Sequence, residues 1–194
     1  MTLAQIMKLA LRQLDEDTED VGEYEELFKV YANTGYAIAV RSYLRPKELR
    51  VLHTDERGVA FTGGMDVERV IALMRLEDEA ARPAQVPFAV LETGEGVRTA
   101  LPRTRLGALC EVRYPELTEG TDEPRLPEDA HPALADYICY RHLSSGSLAK
   151  QNRAKFFLTS FYQAMQRIRP AGEGGVTGRR GLYEATRLRT AIPQ

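Results

Sequence analysis

Three histidines, two cysteines and a run of acids are the side chains of this 194-residue chain whose types invite chemistry. His131 and His142 share one helical segment. Eleven positions at 1.5 Å each put them about 16 Å apart along it, too far to share one metal ion. His53 stands alone on a strand-like run, so a structural role is the favoured reading for all three. Cys110 in a strand-like run and Cys139 in a helix lack CxxC spacing and read as reduced, small, buried hydrophobes. The acids between Asp15 and Asp20 lack the glycine and the distal glutamate of a calcium loop, which favours a solvated turn over a metal site.

Nucleotide and nucleophile motifs fare no better. There is no Gly-x-Ser-x-Gly, no Walker loop and no His-Glu-x-x-His. Gly172-Glu173-Gly174-Gly175-Val176-Thr177 fails the dinucleotide pattern at its last position and follows a helix where a strand is required. Gly175 to Gly178 and Gly178 to Gly181 match the bare GXXG of a KH loop, but they lie in a terminal segment rather than between two helices. Carboxylates fall in runs, as solvated faces do, and none is paired in an apolar pocket. The expectation is therefore a protein that is not an enzyme and that takes no cofactor and no metal.

The elements carrying these residues begin with a helical hairpin from Asp129 to Arg169. Leu134, Tyr137, Ile138 and Leu143 recur near helical spacing in its first half, and Phe157, Phe161, Ala164, Met165 and Ile168 in its second. Between them Gly146 suits a left-handed C-terminal cap, and the Ser147 hydroxyl can cap the next helix. A link this short predicts antiparallel neighbours. At the front, Thr2 with Gln5 is a capping-box pattern for a helix to about Leu14. Asp20 with Glu23 repeats it for a second helix of about 24 residues, about 36 Å, stopped by Pro46. That helix carries two apolar faces. One holds Tyr24, Leu27, Phe28, Tyr31, Gly35, Ile38 and Ser42; the other holds Val30, Ala37, Val40 and Leu44. Two faces imply two partners, the second being either a neighbouring subunit or other helices of the same one. Gly35 with Ala32 and Ala39 would admit a close helix from either source.

Between Lys47 and Glu116 the pattern changes to short runs: Leu49 to His53, Val59 to Phe61, Arg69 to Leu76, Val86 to Leu91, Val97 to Leu101 and Ala108 to Tyr114. These read as strands, with Gly63-Gly64 and Thr93 to Gly96 as turns and Pro83, Pro87 and Pro102 at edges or ends. Leu117 to Asp129 reads as an exposed loop. The predicted fold is α+β: an antiparallel bundle of about four helices with a small inserted antiparallel β unit and an extended C-terminal arm. Residues 1–170 form one domain, with helices in 2–45 and 129–169 and the β insertion at 47–116, and residues 171–194 form the arm.

Charge is uneven. Residues 1 to 130 hold 16 basic and 25 acidic side chains, net −9, and residues 131 to 194 hold 10 and 3, net +7. Such asymmetry suits either contact between identical neighbours, which the scattered basic residues favour, or a nucleic-acid-binding module in the basic half. In the arm, Val176, Leu182, Tyr183, Leu188 and Ile192 are spaced to fill pockets on a partner, and Arg179, Arg180, Arg187 and Arg189 can pair with its acids. No apolar run approaches the length needed to span a bilayer, and Met1 to Ala4 opens a helix rather than a signal peptide, so the chain is expected in the cytoplasm with no membrane partner.

The stretch HPALADYICYRHLSSGSLAKQNRAKFFLTSFYQAM resembles the C-terminal helices of head-tail adaptor (connector) proteins of tailed bacteriophages. The resemblance is carried by His131-Pro132-Ala133-Leu134 opening a helix with Asp136 and Tyr137, by the Ser-Gly break, and by Ala149-Lys150-Gln151 leading to Phe156, Phe157 and Tyr162. It implies a structural virion protein of the neck, assembled in the host cytoplasm. In that family about twelve copies form a homo-oligomeric ring beneath the portal protein, with double-stranded DNA passing through without sequence specificity and a tail-side neck or stopper protein below. The helices would then build the ring wall and the arm would reach the portal. This chain departs from the smallest members in its long β insertion and longer tail.

Overall fold

The computed structural model describes residues 1–14, 21–64, 66–76 and 84–168. It divides into a helical unit, Met1–Leu44 with the described residues from Tyr114 onward, and a β unit, Arg45–Arg113. The fold is thus mixed α+β, with four α-helices and small antiparallel sheets among the described residues.

The helical unit comprises α1 (Leu3–Leu14), α2 (Glu25–Ile38, continued by a π-helical segment Ala39–Leu44), α3 (His131–Leu143, led in by a 3-10 turn Glu128–Ala130) and α4 (Leu148–Arg167). The capping box of α1 is formed as expected: the Thr2 backbone N–H donates to Gln5 Oε1 at 3.0 Å, and the Gln5 N–H donates to Thr2 Oγ1 at 3.3 Å. α3 is the hub, packing against α1, α2 and α4. Its apolar residues lie nearly all round, and Leu134, Ile138 and Cys139 are fully buried. From α4 only the stripe Ala154, Phe157, Phe161 and Met165 is buried within the helix, and the Phe161 ring lies 4.9 Å from Tyr137.

Several expectations are corrected here. α2 starts at Glu25, not at an Asp20 cap, and Asp20 lies outside the described residues. Tyr24 occupies the cap position with no side-chain cap bond, and its ring stacks on Phe28 at 5.4 Å and meets His142 edge-on at 5.5 Å, so aromatic packing pins this end. The last six residues widen to a π-helix, which brings consecutive Ala39 and Val40 inside. Val40 therefore belongs to the buried stripe of Phe28, Ala32, Gly35 and Tyr36, whereas Leu27 is exposed. Gly35 serves the subunit's own packing: a Cβ there would stand 2.9 Å from the Tyr137 ring. Gly146 is not left-handed, and Ser147 makes no side-chain cap bond. A Cβ at Gly146 would crowd the Lys150 side chain, 2.9 Å from its Cβ, and Gln151 reaches back to the Gly146 carbonyl at 3.0 Å.

The segment expected as an exposed loop is a strap bound to the helices. Leu117 and Leu126 are buried in the helical core. The Asn33 side chain donates to the Leu117 carbonyl at 2.9 Å and accepts from its N–H at 2.8 Å, and the Tyr36 hydroxyl accepts from the Arg125 N–H at 3.0 Å. The carbonyls of Asp122 and Gly120 accept the N–H groups of Leu3 and Ala4, at 2.8 and 2.9 Å, so the strap caps α1. Apolar residues spaced among acids, with side-chain amide and phenol partners contributed from α2, are what fasten it.

The β unit holds β1 (Lys47–His53), β2 (Val59–Phe61), β3 (Val67–Arg75), β4 (Gln85–Val86), β5 (Phe88–Val90), β6 (Gly96–Thr99) and β7 (Arg105–Val112). A four-stranded sheet runs β1-β7-β3-β4 and a three-stranded sheet β2-β6-β5, with every pairing antiparallel. The run expected as one strand from Val86 to Leu91 is two strands in two sheets, divided at Pro87, whose ring fixes φ and removes the ladder donor. Gly58, at φ 74°, turns the chain where a Cβ would lie 2.2 Å from the Thr99 carbonyl oxygen, while Asp55 accepts from the N–H groups of Arg57 and Val59 at 2.8 and 2.7 Å.

Candidate functional site

Of the groups with catalytic potential, His131, His142, Asp136 and Cys139 are packed into the helical unit. His131 is 3% exposed, with Nε2 3.0 Å from the Leu126 carbonyl oxygen and Nδ1 2.8 Å from the Met1 nitrogen. His142 lies edge-on between Tyr24 and Phe28. His53 is exposed at the end of β1. Asp136 accepts from Gln13 Nε2 at 3.0 Å and from Ser160 Oγ at 2.6 Å, so one carboxyl ties α3 to both α1 and α4. Burial raises its pKa above the ordinary carboxylate value, against the lowering effect of those two donors. Both cysteines are buried and unpaired, and burial pushes the thiols of Cys110 and Cys139 up to about 11 and about 12. Among the described residues no group of three or more His, Cys, Asp or Glu is placed to hold a metal ion. No described helix is long and apolar enough to cross a membrane.

What the helical unit presents outward is of another kind. On α4, Leu148 and Phe156 are 73% and 71% exposed, and Tyr162 is also exposed. These are not strays from the core: Phe156 meets Phe157 edge-on at 6.0 Å and Tyr162 meets Phe161 at 5.4 Å, so an aromatic layer runs from the buried stripe to the surface. The charged residues of α4 are Lys150, Arg153, Lys155 and Arg167, with no acid. Arg153, exposed, donates to the Gln13 carbonyl and lies 5.8 Å from the Phe157 ring centroid.

The second outward feature is an open groove of about 670 Å³ between α2 and the strap. Its apolar lining is Val30, Ala37, Ile38 and Leu117, and Val30 is 58% exposed. Glu26 and Glu116 line it together with Lys29 and Arg41. The strap beyond Glu116 carries Glu119, Asp122, Glu123, Glu128 and Asp129 against Arg125 alone, so it is net negative. The Asp122 carboxyl accepts from the N–H groups of Thr118 and Glu119 at 2.8 and 2.9 Å, which lowers its pKa and keeps it charged.

No protein-family profile matches the chain, and no curated protein does. Among solved structures, a chain described as "Neck of empty GTA particle computed with C6 symmetry" is similar at 14% identity. The match covers 93% of this chain and 93% of that one with a TM-score of 0.35, a likeness that carries no argument about binding or assembly.

The partner-contact residues expected from the sequence, Val176, Arg179, Arg180, Leu182, Tyr183, Arg187, Leu188 and Arg189, all lie outside the described residues. Sequence reading also passed over Asn33, Asp136 as a tie, and the groove. Only the exposed second face of α2, through Val30 and Ala37, was signalled by periodicity.

Proposed function

We propose that this protein is a structural subunit of a phage-like neck, one that assembles as a ring beneath a portal protein, joins capsid to tail and lets double-stranded DNA pass, and that it has no reaction of its own. The observation that carries the reading is the outward face of α4, where large apolar side chains stand exposed on a helix whose charges are all basic. A side chain such as Phe156 gains about 1.5–3 kcal/mol on full burial, so its exposure marks a surface awaiting a partner. The resemblance of this same hairpin to head-tail adaptors names the kind of partner: further copies of the chain, about twelve in that family, with a portal above and a tail-side neck or stopper protein below. On this reading the protein works in the virion neck after assembly in the host cytoplasm, and the arm 171–194 anchors it to the portal.

Electron micrographs of assembled particles test it. Averages of the neck that show this chain in a ring of cyclic symmetry are the expected result; the chain as an isolated monomer or a two-fold dimer in the particle would overturn it. The basic helix with its exposed aromatics also favours a second reading, a nucleic-acid-binding module. Strong binding of free duplex DNA by the isolated protein, falling steeply with salt as counterions are released, would select that reading, because a passive channel lining binds free DNA weakly.

A further inference from the structure

We infer that the outward face of α4 on one copy of this chain seats in the groove between α2 and the acidic strap of a second copy. The inference rests on the neck-subunit reading and names the two surfaces through which its copies would meet. Three observations carry it. First, α2 and α4 both pack on α3, the π-helical end of α2 meets α4, and no α4 residue lines the groove, so the two outward faces are separate surfaces and one copy can use both at once. That is the condition for a head-to-tail, heterologous contact rather than a two-fold one. Second, the charges are complementary outside the groove floor: α4 bears Lys150, Lys155 and Arg167 with no acid, and while Lys29 and Arg41 balance Glu26 and Glu116 in the groove lining, the strap continuing from Glu116 carries Glu119, Asp122, Glu123, Glu128 and Asp129 against Arg125. Third, the apolar parts match. Leu148 and Phe156 stand out from α4, and Val30, Ala37, Ile38 and Leu117 offer an apolar lining. The groove's 670 Å³ falls within the roughly 300–1,000 Å³ range of clefts that enclose sizeable groups.

Cross-linking in trans tests the contact. Full-length Asn152→Cys and Val30→Cys variants change exposed positions, the first one turn before Phe156 on the same helix face so that the aromatic side chain is kept; their melting temperatures should match the parent, and the native Cys110 and Cys139 are buried away from a reagent. Mixed in equal amounts and treated with a short bis-maleimide, the two variants should give a covalent pair that neither gives alone, and the double variant should give a ladder of multiples. Efficient linking of Asn152→Cys to itself would overturn the inference in favour of a two-fold contact. Protection of its thiol by added duplex DNA, with no covalent pair, would assign the α4 face to nucleic acid. Rings in micrographs of the double variant without a ladder would overturn these surfaces while leaving the neck reading intact. A ladder without rings would uphold the contact and count against the neck reading, and neither ladder nor rings, in solution or in particles, would remove both.

Discussion

The helices α3 and α4 are the two limbs of one hairpin, but they use their surfaces in opposite ways. α3 is buried by α1, α2 and α4 around nearly its whole circumference and carries the carboxyl of Asp136 that ties two of them to it. α4 contributes one narrow stripe to the interior and turns Leu148, Phe156 and Tyr162 outward. A helix apolar on all sides has its fate decided within the fold, whereas one with a second, exposed apolar face needs something beyond it. The stability of the unit therefore resides in α3 and the seam that α4 lays on it, and its capacity to associate resides in the remainder of α4 and in the groove on α2.

The largest effect should come from cutting that seam. Phe161 is fully buried against Tyr137, and Phe161→Ala should lower stability by about 3–5 kcal/mol, through lost burial and the cavity left behind. A thermal or denaturant melt measures it, and an unchanged midpoint would mean that the stripe is not the core it forms here.

Most of the seam could be read in the sequence because helical periodicity reports burial directly: Tyr137, Ile138, Phe157, Phe161 and Met165 are buried where spacing put them. The strap could not, because Leu117 and Leu126 sit among acids and prolines with no period, and they are held by Asn33 and Tyr36 from a distant part of the chain. Local sequence carries no sign of a partner over eighty positions away. Pro87 was legible as a strand end but not as a passage between two sheets, which depends on pairing partners rather than on the proline. The groove escaped for a similar reason: α2 supplied a visible second face, but the opposite wall came from the strap.

The next effect tests the wiring of α3. Removing the acceptor with Asp136→Ala leaves Gln13 and Ser160 without their partner and should cost about 1–3 kcal/mol, as an unmet buried donor does. Asp136→Asn should behave differently, since an amide can keep both contacts and carries no charge to bury. Because the native state raises this carboxyl's pKa, its contribution to stability is fully present below the ordinary carboxylate value and is lost as pH rises through the raised one. The asparagine variant should thus gain on the parent as pH rises from about 3 to 7. Melts at both ends of that window, with no change in the difference between the two proteins, would count against a raised pKa.

A smaller effect lies outside the hairpin, where α1 is held to the hub and to the strap. Thr2→Ala removes the acceptor for the Gln5 N–H and should cost about 1 kcal/mol, the usual worth of a side-chain cap. Amide exchange would localise the loss to the first turn of α1, and protection lost instead across α3 would show that the cap governs the whole unit.

The smallest effect on stability should come from the outward face of α4, and this would sharpen the contrast most. Phe156→Ser changes a side chain that touches Phe157 only at its edge and stands 71% exposed. Its melting midpoint should stay near the parent's, since surface changes away from special contacts fall within about 0.5 kcal/mol. In the assembled state the same residue would be a buried aromatic anchor, and truncating such an anchor at an interface centre typically costs about 2 kcal/mol or more. The full-length variant should therefore fold like the parent and yet fail to enter particles, as judged by quantitative immunoblots of purified virions. Incorporation at the parental level would mean that the face is an idle surface, and a large fall in the melting midpoint would place Phe156 with the seam, erasing the difference between the two faces of α4.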